Sequence, residues 1–211
     1  MNHYFPSFYH SLQVDLWAAI KYVNMTKTTN VLVIGSHQPW VEALALAGGA
    51  MHVWTLEYAR LFTSHPRVTT LLPGEFLSAA RGGRLPPIDV VITASSVEHS
   101  GLGRYNDGLN PWGDILAIAR AWCVVKPDAH LIVSVPMSAK FKGREATTDA
   151  DAVSNSMDTL KFNTERVYGP LRYPYLVTNW KFEHRVDTHR GNWVSWAQTV
   201  YVFRRMQGSR L

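Results

Sequence analysis

The sequence predicts an α/β fold: a mostly parallel sheet with helices on both faces, closed at one edge by an antiparallel pair of C-terminal strands. Three observations predict it. Continuous, branched apolar runs such as "TNVLVIG", "DVVITAS" and "HLIVSVP" suit strands buried on both faces. They alternate with helix-patterned segments, as parallel strands joined by crossovers do. Near the C-terminus, "WKFEHRVD" and "AQTVYVFRR" are separated only by the loop "THRGNWVSW", which suits an antiparallel pair.

The chain of 211 residues is long enough to bury a substantial core. One domain over 1–211 is the expected organisation, with 1–28 as an N-terminal helical extension. With 46% hydrophobic and 18% charged residues, the chain is not of the disordered class. The formal charge of +5 is scattered apart from the basic end "FRRMQGSRL". No basic stripe interleaved with aromatics marks a nucleic-acid surface.

The single cysteine excludes an intrachain disulfide; Cys123, in an apolar helical stretch, reads as a small buried hydrophobe. Met1 to Asp15 lack the basic start and apolar core of a secretory signal, and no apolar run reaches the ~18 residues of a membrane span. A cytoplasmic protein is expected.

The elements follow in order. In "SLQVDLWAAIKYV", Leu12, Leu16, Ala19, Ile20 and Val23 share one helical face. "TNVLVIG" is the first strand and ends in Gly35. "SHQPWVEALALAGGA" is a helix with Pro39 in its first turn and Gly48-Gly49 at its end. "AMHVWTLEY" is a second strand ending at Glu57; "RVTTLL" is a third, closed by Pro73-Gly74. A helical turn is expected within Glu75 to Arg84, then the fourth strand, "DVVITAS".

Ile115, Ile118, Ala119 and Trp122 recur at helical spacing, in a helix that Lys126-Pro127 should end. "HLIVSVP" is the fifth strand. "KFNTERVYGPLRYPYLVTN" predicts one short helix among loops. In "WKFEHRVD", Trp180, Phe182, His184 and Val186 alternate with charged neighbours, as in a half-buried strand. Trp40, Trp54, Trp112 and Trp122 are expected in the core.

Ligands of doubly wound sheets bind outside the carboxyl ends of the strands, near the point where strand order reverses. Gly35 would let a ligand approach the backbone there. Glu57, 22 positions later, is placed to accept hydrogen bonds from ribose hydroxyls. The pair suggests a nucleoside-containing cofactor. A pyrophosphate wants G-x-G-x-x-G, whereas this loop reads "GSHQPWVE", with one glycine and a bulky Trp40. A nucleoside cofactor without that pyrophosphate suits it better, and S-adenosylmethionine is such a cofactor.

From Val31 to Pro136 the chain resembles class I S-adenosylmethionine-dependent methyltransferases, with their Rossmann-like sheet. The positions that carry the resemblance read "VLVIG", "VWTLE", "DVVITASSVEHS" and "AWCVVKPDAHLIVSVP". More closely, "GSHQPWVEALALAGGA", "SSVEHSGLGRYNDGLNPWGD" and "FNTERVYGPLRYP" resemble a small methyltransferase-like family described only as a domain of unknown function, with "EHSGLGRY" as the most specific run. Two features depart from the superfamily: the glycine-rich first loop is reduced to Gly35, and the usual "PGG" turn is "PDA".

By resemblance, Gly35, Ser36, Glu57 and Tyr58 would line the methionine and ribose ends of the cofactor. The segment from Pro73 through Gly74 and Glu75 would lie near the adenine, and Ser95 and Ser96 would border the site.

Methyl transfer to oxygen needs alignment and a base. His99 is the candidate base, because its unperturbed pKa near 6.5 lets it accept a proton at neutral pH. Glu98 would orient it or accept a substrate hydroxyl. Arg104, Tyr105 and Asp107 would contact the acceptor, a small or glycan-like hydroxylated molecule. No H-E-x-x-H or cysteine-pair spacing points to a metal. Two other readings stay open: a methyltransferase-fold module that binds a partner without catalysis, and a nicotinamide-dependent oxidoreductase.

Overall fold

The computed structural model describes residues 7–138, 158–187 and 198–207, with no side-chain detail for residues 7–9. The expected loop "THRGNWVSW" lies outside the described residues. Helix α1 (Ser7–Val23) is followed by β1 (Asn30–Ile34), α2 (Trp40–Ala47), β2 (His52–Leu56), β3 (Val68–Leu71), α3 (Pro73–Arg81) and β4 (Ile88–Ala94). A 3₁₀ turn at Val97–His99 leads towards α4 (Gly113–Trp122) and β5 (Val125–Ser134). The last third holds β6 (Thr159–Lys161), β7 (Glu165–Val167), the single-turn α5 (Tyr173–Leu176), β8 (Trp180–Val186) and β9 (Val200–Arg205).

Seven strands form one sheet in the order β3-β2-β1-β4-β5-β9-β8. From β3 to β5 all neighbours are parallel; β9 runs against both β5 and β8. The last strand therefore inserts between β5 and β8, so the antiparallel pair closes the edge as expected. Strand order reverses between β1 and β4, which puts Gly35 and Ser95 side by side at the carboxyl ends of the central strands.

Because strand side chains alternate faces, β1 feeds two cores. Val31 and Val33 pack with Leu12, Leu16, Ala19 and Ile20 of α1 and Val41 and Ala45 of α2. Leu32 and Ile34 pack on the other face with Ile118 of α4, Leu176 of α5, Tyr168, Tyr173 and Trp180. No helix among the described residues is long and apolar enough to cross a membrane.

Several local expectations need correction. Pro73-Gly74 does not simply close β3: Pro73 occupies the first turn of α3, where its missing N–H costs nothing, and the Glu75 carboxylate accepts the Leu72 N–H. Lys126-Pro127 does not end α4, which stops at Trp122. Both lie in β5, where pairing with β4 jumps from Ile88/Val125 to Val90/His130, an irregularity in which a proline withholds no ladder hydrogen bond.

The buried stripe of α4 is Asp114, Ile118 and Ala121. Ala119 is exposed; a pattern that counts only apolar residues cannot see a buried aspartate. Cys123 is exposed at the C-terminal cap of α4, so it is not a core residue. Phe182 and Trp112 also face outward, with 41% and 59% exposure, Phe182 beside the register shift of β8. Trp112 has the Arg172 guanidinium over its ring.

Candidate functional site

A cavity of about 740 Å³ opens at the carboxyl ends of β1, β2 and β4, within the ~300–1,000 Å³ range of small-molecule sites. Its walls include Gly35, Ser36, His37, Glu57, Tyr58, Pro73, Ser95, Ser96, His99, Arg104, Tyr105, Asp107 and Arg120. Of the residues expected at the site, Gly35, Ser36, Glu57, Tyr58, Ser95, Ser96, His99, Arg104, Tyr105 and Asp107 are brought together in this wall. Glu98, Gly74 and Glu75 are not among its lining residues. Glu75 forms a two-pronged pair with Arg60, at 2.7 and 2.9 Å, whose hydrogen bonds hold the carboxyl below its usual pKa.

Gly35 turns the chain off β1 with φ +76°. A Cβ there would stand 1.5 Å from Ser96 Oγ, so the first loop and the loop after β4 touch only because residue 35 has no side chain. The adjoining Ser36 joins two carboxylates. Its N–H donates to Glu57 Oε2 at 2.8 Å, and its hydroxyl donates to Glu42 Oε2 at 2.9 Å. Glu42 is buried and also accepts the Thr55 hydroxyl. Glu42 is not among the residues the sequence predicts at the site, because a single acid in an apolar helix does not reveal its partners.

Glu57 accepts one backbone N–H on each oxygen, from Ser36 at 2.8 Å and Tyr58 at 2.6 Å. Each oxygen keeps a lone pair, enough for two vicinal hydroxyls. Two acids astride Ser36 make this loop a poor place for a pyrophosphate. Pro39, at the N-cap of α2, also offers no N–H to one.

On the opposite wall Ser95 adopts φ +51°, a conformation rare for serine. Its hydroxyl donates to Glu98 Oε1 at 3.0 Å and accepts from Gln198 at 3.2 Å. Glu98 is fully buried, and burial pushes its pKa up to about 7. The next residue, His99, points its Nδ1 at the Thr164 carbonyl, 2.5 Å away. A carbonyl only accepts, so Nδ1 carries the hydrogen and Nε2 keeps its lone pair. Burial, opposed by that hydrogen bond, lowers the His99 pKa and favours the neutral ring. The nearest Glu98 oxygen is 3.7 Å from Nε2, so the Thr164 carbonyl, not Glu98, orients the imidazole.

Asp107 shapes the loop rather than projecting a free carboxylate, since its oxygens accept the Gly101 and Tyr105 N–H groups at 2.5 and 3.1 Å. The rest of the loop is tied down from the C-terminal third. Arg166, 3% exposed, donates to the carbonyls of Glu98 at 3.2 Å and Ser100 at 2.6 Å. Asp114, fully buried, accepts Arg172 Nε at 2.8 Å and Nη2 at 2.6 Å, and the Tyr168 hydroxyl at 2.8 Å. Burial works to raise the Asp114 pKa, but the Arg172 hydrogen bonds and the Arg166 charge hold it below the usual carboxylate range.

Arg166 belongs to the β6–β7 hairpin, a strand pair where the sequence predicts only a short helix among loops. The segment "FNTERVYGPLRYP" thus serves the wall that "SSVEHSGLGRYNDGLNPWGD" builds.

A family model matches residues 28–142, more than half of the chain. The chain belongs to the family described as Caenorhabditis protein of unknown function, DUF268. The match to DUF268 spans β1 through β5 and takes in the loop from Ser95 to Asp114. No curated protein matches the sequence.

Among solved structures, the DUF268 chain is similar to a candidate S-adenosylmethionine-dependent methyltransferase of Listeria monocytogenes, at 12% identity, TM-score 0.55, 94% of this chain and 100% of that one. It is also similar to a chain of the complex between the Haloferax volcanii Trm112 methyltransferase activator and a candidate methyltransferase, at 9% identity, TM-score 0.58, 97% and 92% coverage. A candidate methyltransferase solved with S-adenosylhomocysteine, SMU.776, matches at 11% identity and TM-score 0.50, over 90% of this chain and 49% of that one. At such identities the likeness is one of fold: this DUF268 protein has the Rossmann-like methyltransferase fold.

The buried acid behind His99 makes a prediction. In the folded protein Glu98 holds its proton up to about pH 7, whereas an unfolded glutamate releases it near 4.5. The folded state therefore binds more protons between those values, and this contribution to stability is lost as pH rises through that window. The shift corresponds to roughly 3 kcal/mol for ionising the buried group. Glu98→Gln should leave stability at pH 5 nearly unchanged and stabilise the protein at pH 8 relative to wild type. Denaturant unfolding of both proteins at the two pH values measures it; an equal difference at both would refute the buried, late-titrating acid.

Proposed function

We propose that this protein is an S-adenosylmethionine-dependent methyltransferase that acts on a small or glycan-like hydroxylated acceptor. One observation carries the reading: a ribose-competent carboxylate, Glu57, and a neutral imidazole with an available lone pair, His99, line one cavity at the switch point of a methyltransferase sheet. The cavity volume, the spare lone pairs of Glu57 and the phosphate-averse Ser36 loop fit this cofactor. The bound cofactor of SMU.776, which shares the fold, is of the same chemical kind.

In this reading Glu57 accepts the ribose hydroxyls, and Gly35 and Ser36 border the methionine end. Tyr58 and Pro73 bound the nucleoside end, and Ser95 and Ser96 form the floor. Held there, S-adenosylmethionine would supply an electrophilic methyl group on a sulfonium for the acceptor oxygen. His99 Nε2 takes the acceptor's proton, while the Thr164 carbonyl holds its tautomer. Glu98 acts from behind, through Ser95 and the backbone, as a positioning residue.

The two acids at Ser36 oppose a nicotinamide dinucleotide. Titration calorimetry with S-adenosylmethionine and S-adenosylhomocysteine tests the reading. Binding is expected for both, weakened at least about tenfold by Glu57→Ala, which removes acceptors of two hydroxyl hydrogen bonds. No heat from either ligand at millimolar concentration would sink it.

A further inference from the structure

Five guanidinium groups of the described residues already serve a carboxylate. Arg60, Arg166, Arg172, Arg185 and Arg204 each lie within 4.0 Å of one. Arg104 and Arg120 line the cavity and have no such partner among the described residues.

Arg104 makes one long hydrogen bond, 3.5 Å, to the Thr164 carbonyl that His99 already occupies. Its guanidinium lies over the Tyr105 ring at 5.6 Å, and Tyr105 meets the His99 ring edge-on at 5.5 Å. Guanidinium, phenol and imidazole therefore stand in a row along one wall. Arg120 reaches the same region from α4: Tyr58, facing the Ser100 side chain, feels the charges of both Asp107 and Arg120. The two acids of the cavity do not pair with these arginines. Asp107 and Glu57 both accept backbone N–H groups instead.

We propose that the acceptor is an anion: a small hydroxylated molecule bearing a carboxylate or phosphate group, held by Arg104 and Arg120 while a hydroxyl reaches His99. This rests on the methyltransferase reading and names its acceptor class. A guanidinium presents paired donors in the fork that either group accepts, and such charge-assisted hydrogen bonds are about twice as strong as neutral ones. Stacking on Tyr105 preorganises Arg104, so less side-chain freedom is lost on binding. A neutral polyol would leave both guanidiniums without a counter-charge.

The test reads the arginine Nε–Hε signals of the full-length, nitrogen-15-labelled protein by NMR. Inorganic phosphate, sodium acetate and, as the reference at equal ionic strength, sodium chloride are titrated separately. The Arg104 and Arg120 signals, assigned through Arg104→Lys and Arg120→Lys, should shift saturably with phosphate or acetate and not with chloride. The anion that saturates at the lower concentration separates a phosphate-bearing from a carboxylate-bearing acceptor.

Arg104→Met should raise the half-saturating concentration read at Arg120 about tenfold, the loss of one charge-assisted contact. Shifts that match chloride, saturation at other arginines only, or no change in Arg104→Met would each overturn the proposal. S-adenosylhomocysteine calorimetry on the same samples separates the two claims. Anion saturation without cofactor binding refutes the cofactor reading but leaves the anion site. Cofactor binding without anion saturation does the reverse.

Discussion

Asp114→Ala should lower stability by about 3–5 kcal/mol, the usual cost of removing one partner from a buried ion pair. Asp114 is fully buried and receives two hydrogen bonds from Arg172 and one from Tyr168. Arg166 lies 3.7 Å from it and is itself 3% exposed. Without the carboxylate, Arg166 remains as a buried cation surrounded by carbonyls, and the Tyr168 hydroxyl loses its acceptor.

For a protein of this length the loss corresponds to about 6–20 °C in melting temperature. Because Arg166 also grips the Glu98 and Ser100 carbonyls, the damage should reach the cavity wall. Thermal melts of wild type, Asp114→Ala and Asp114→Asn read it. A melting temperature within 2 °C of wild type for Asp114→Ala would mean, at the ~2–4 °C per kcal/mol of such proteins, that the cluster is not the clamp described.

Gly35→Ala should be the most damaging small substitution at the cavity. Its Cβ would lie 1.5 Å from Ser96 Oγ and 2.5 Å from Ser96 Cβ, and the backbone is left-handed at φ +76°. The two costs separate. In Gly35→Ala/Ser96→Gly the collision with the serine side chain is gone and only the left-handed penalty remains, about 1–2 kcal/mol. The single variant should therefore be clearly less stable than the double, and urea unfolding of both measures it. A wild-type-like single variant would contradict the contact between the two loops.

The sheet was legible because its strands are apolar on both faces and its glycine and acid stand at strand ends. "TNVLVIG" and "VWTLE" announce β1 and β2, and with them Gly35 and Glu57. His99 was legible as the one imidazole in the polar run that follows a buried strand. The clamp was not. Asp114, Arg166, Tyr168 and Arg172 are dispersed over 58 positions, and a buried charge looks like a surface charge until its partner is known.

Local rules also misread residues whose conformation is set by distant contacts. Pro73 opens a helix instead of ending a strand, and Pro127 sits in an irregularity of β5. Thr164 matters only through its backbone carbonyl, which no side-chain pattern records. Glu42 looked like one more polar helix position until the fold brought Ser36 and Thr55 to its carboxylate.

The most direct test of the central claim is a crystal structure of the protein grown with S-adenosylhomocysteine. The account predicts the nucleoside in the cavity between Gly35 and Pro73, with both ribose hydroxyls on the Glu57 carboxylate and the sulfur on the side of His99. A ligand bound elsewhere, or bound in the cavity with Glu57 unengaged, would contradict it.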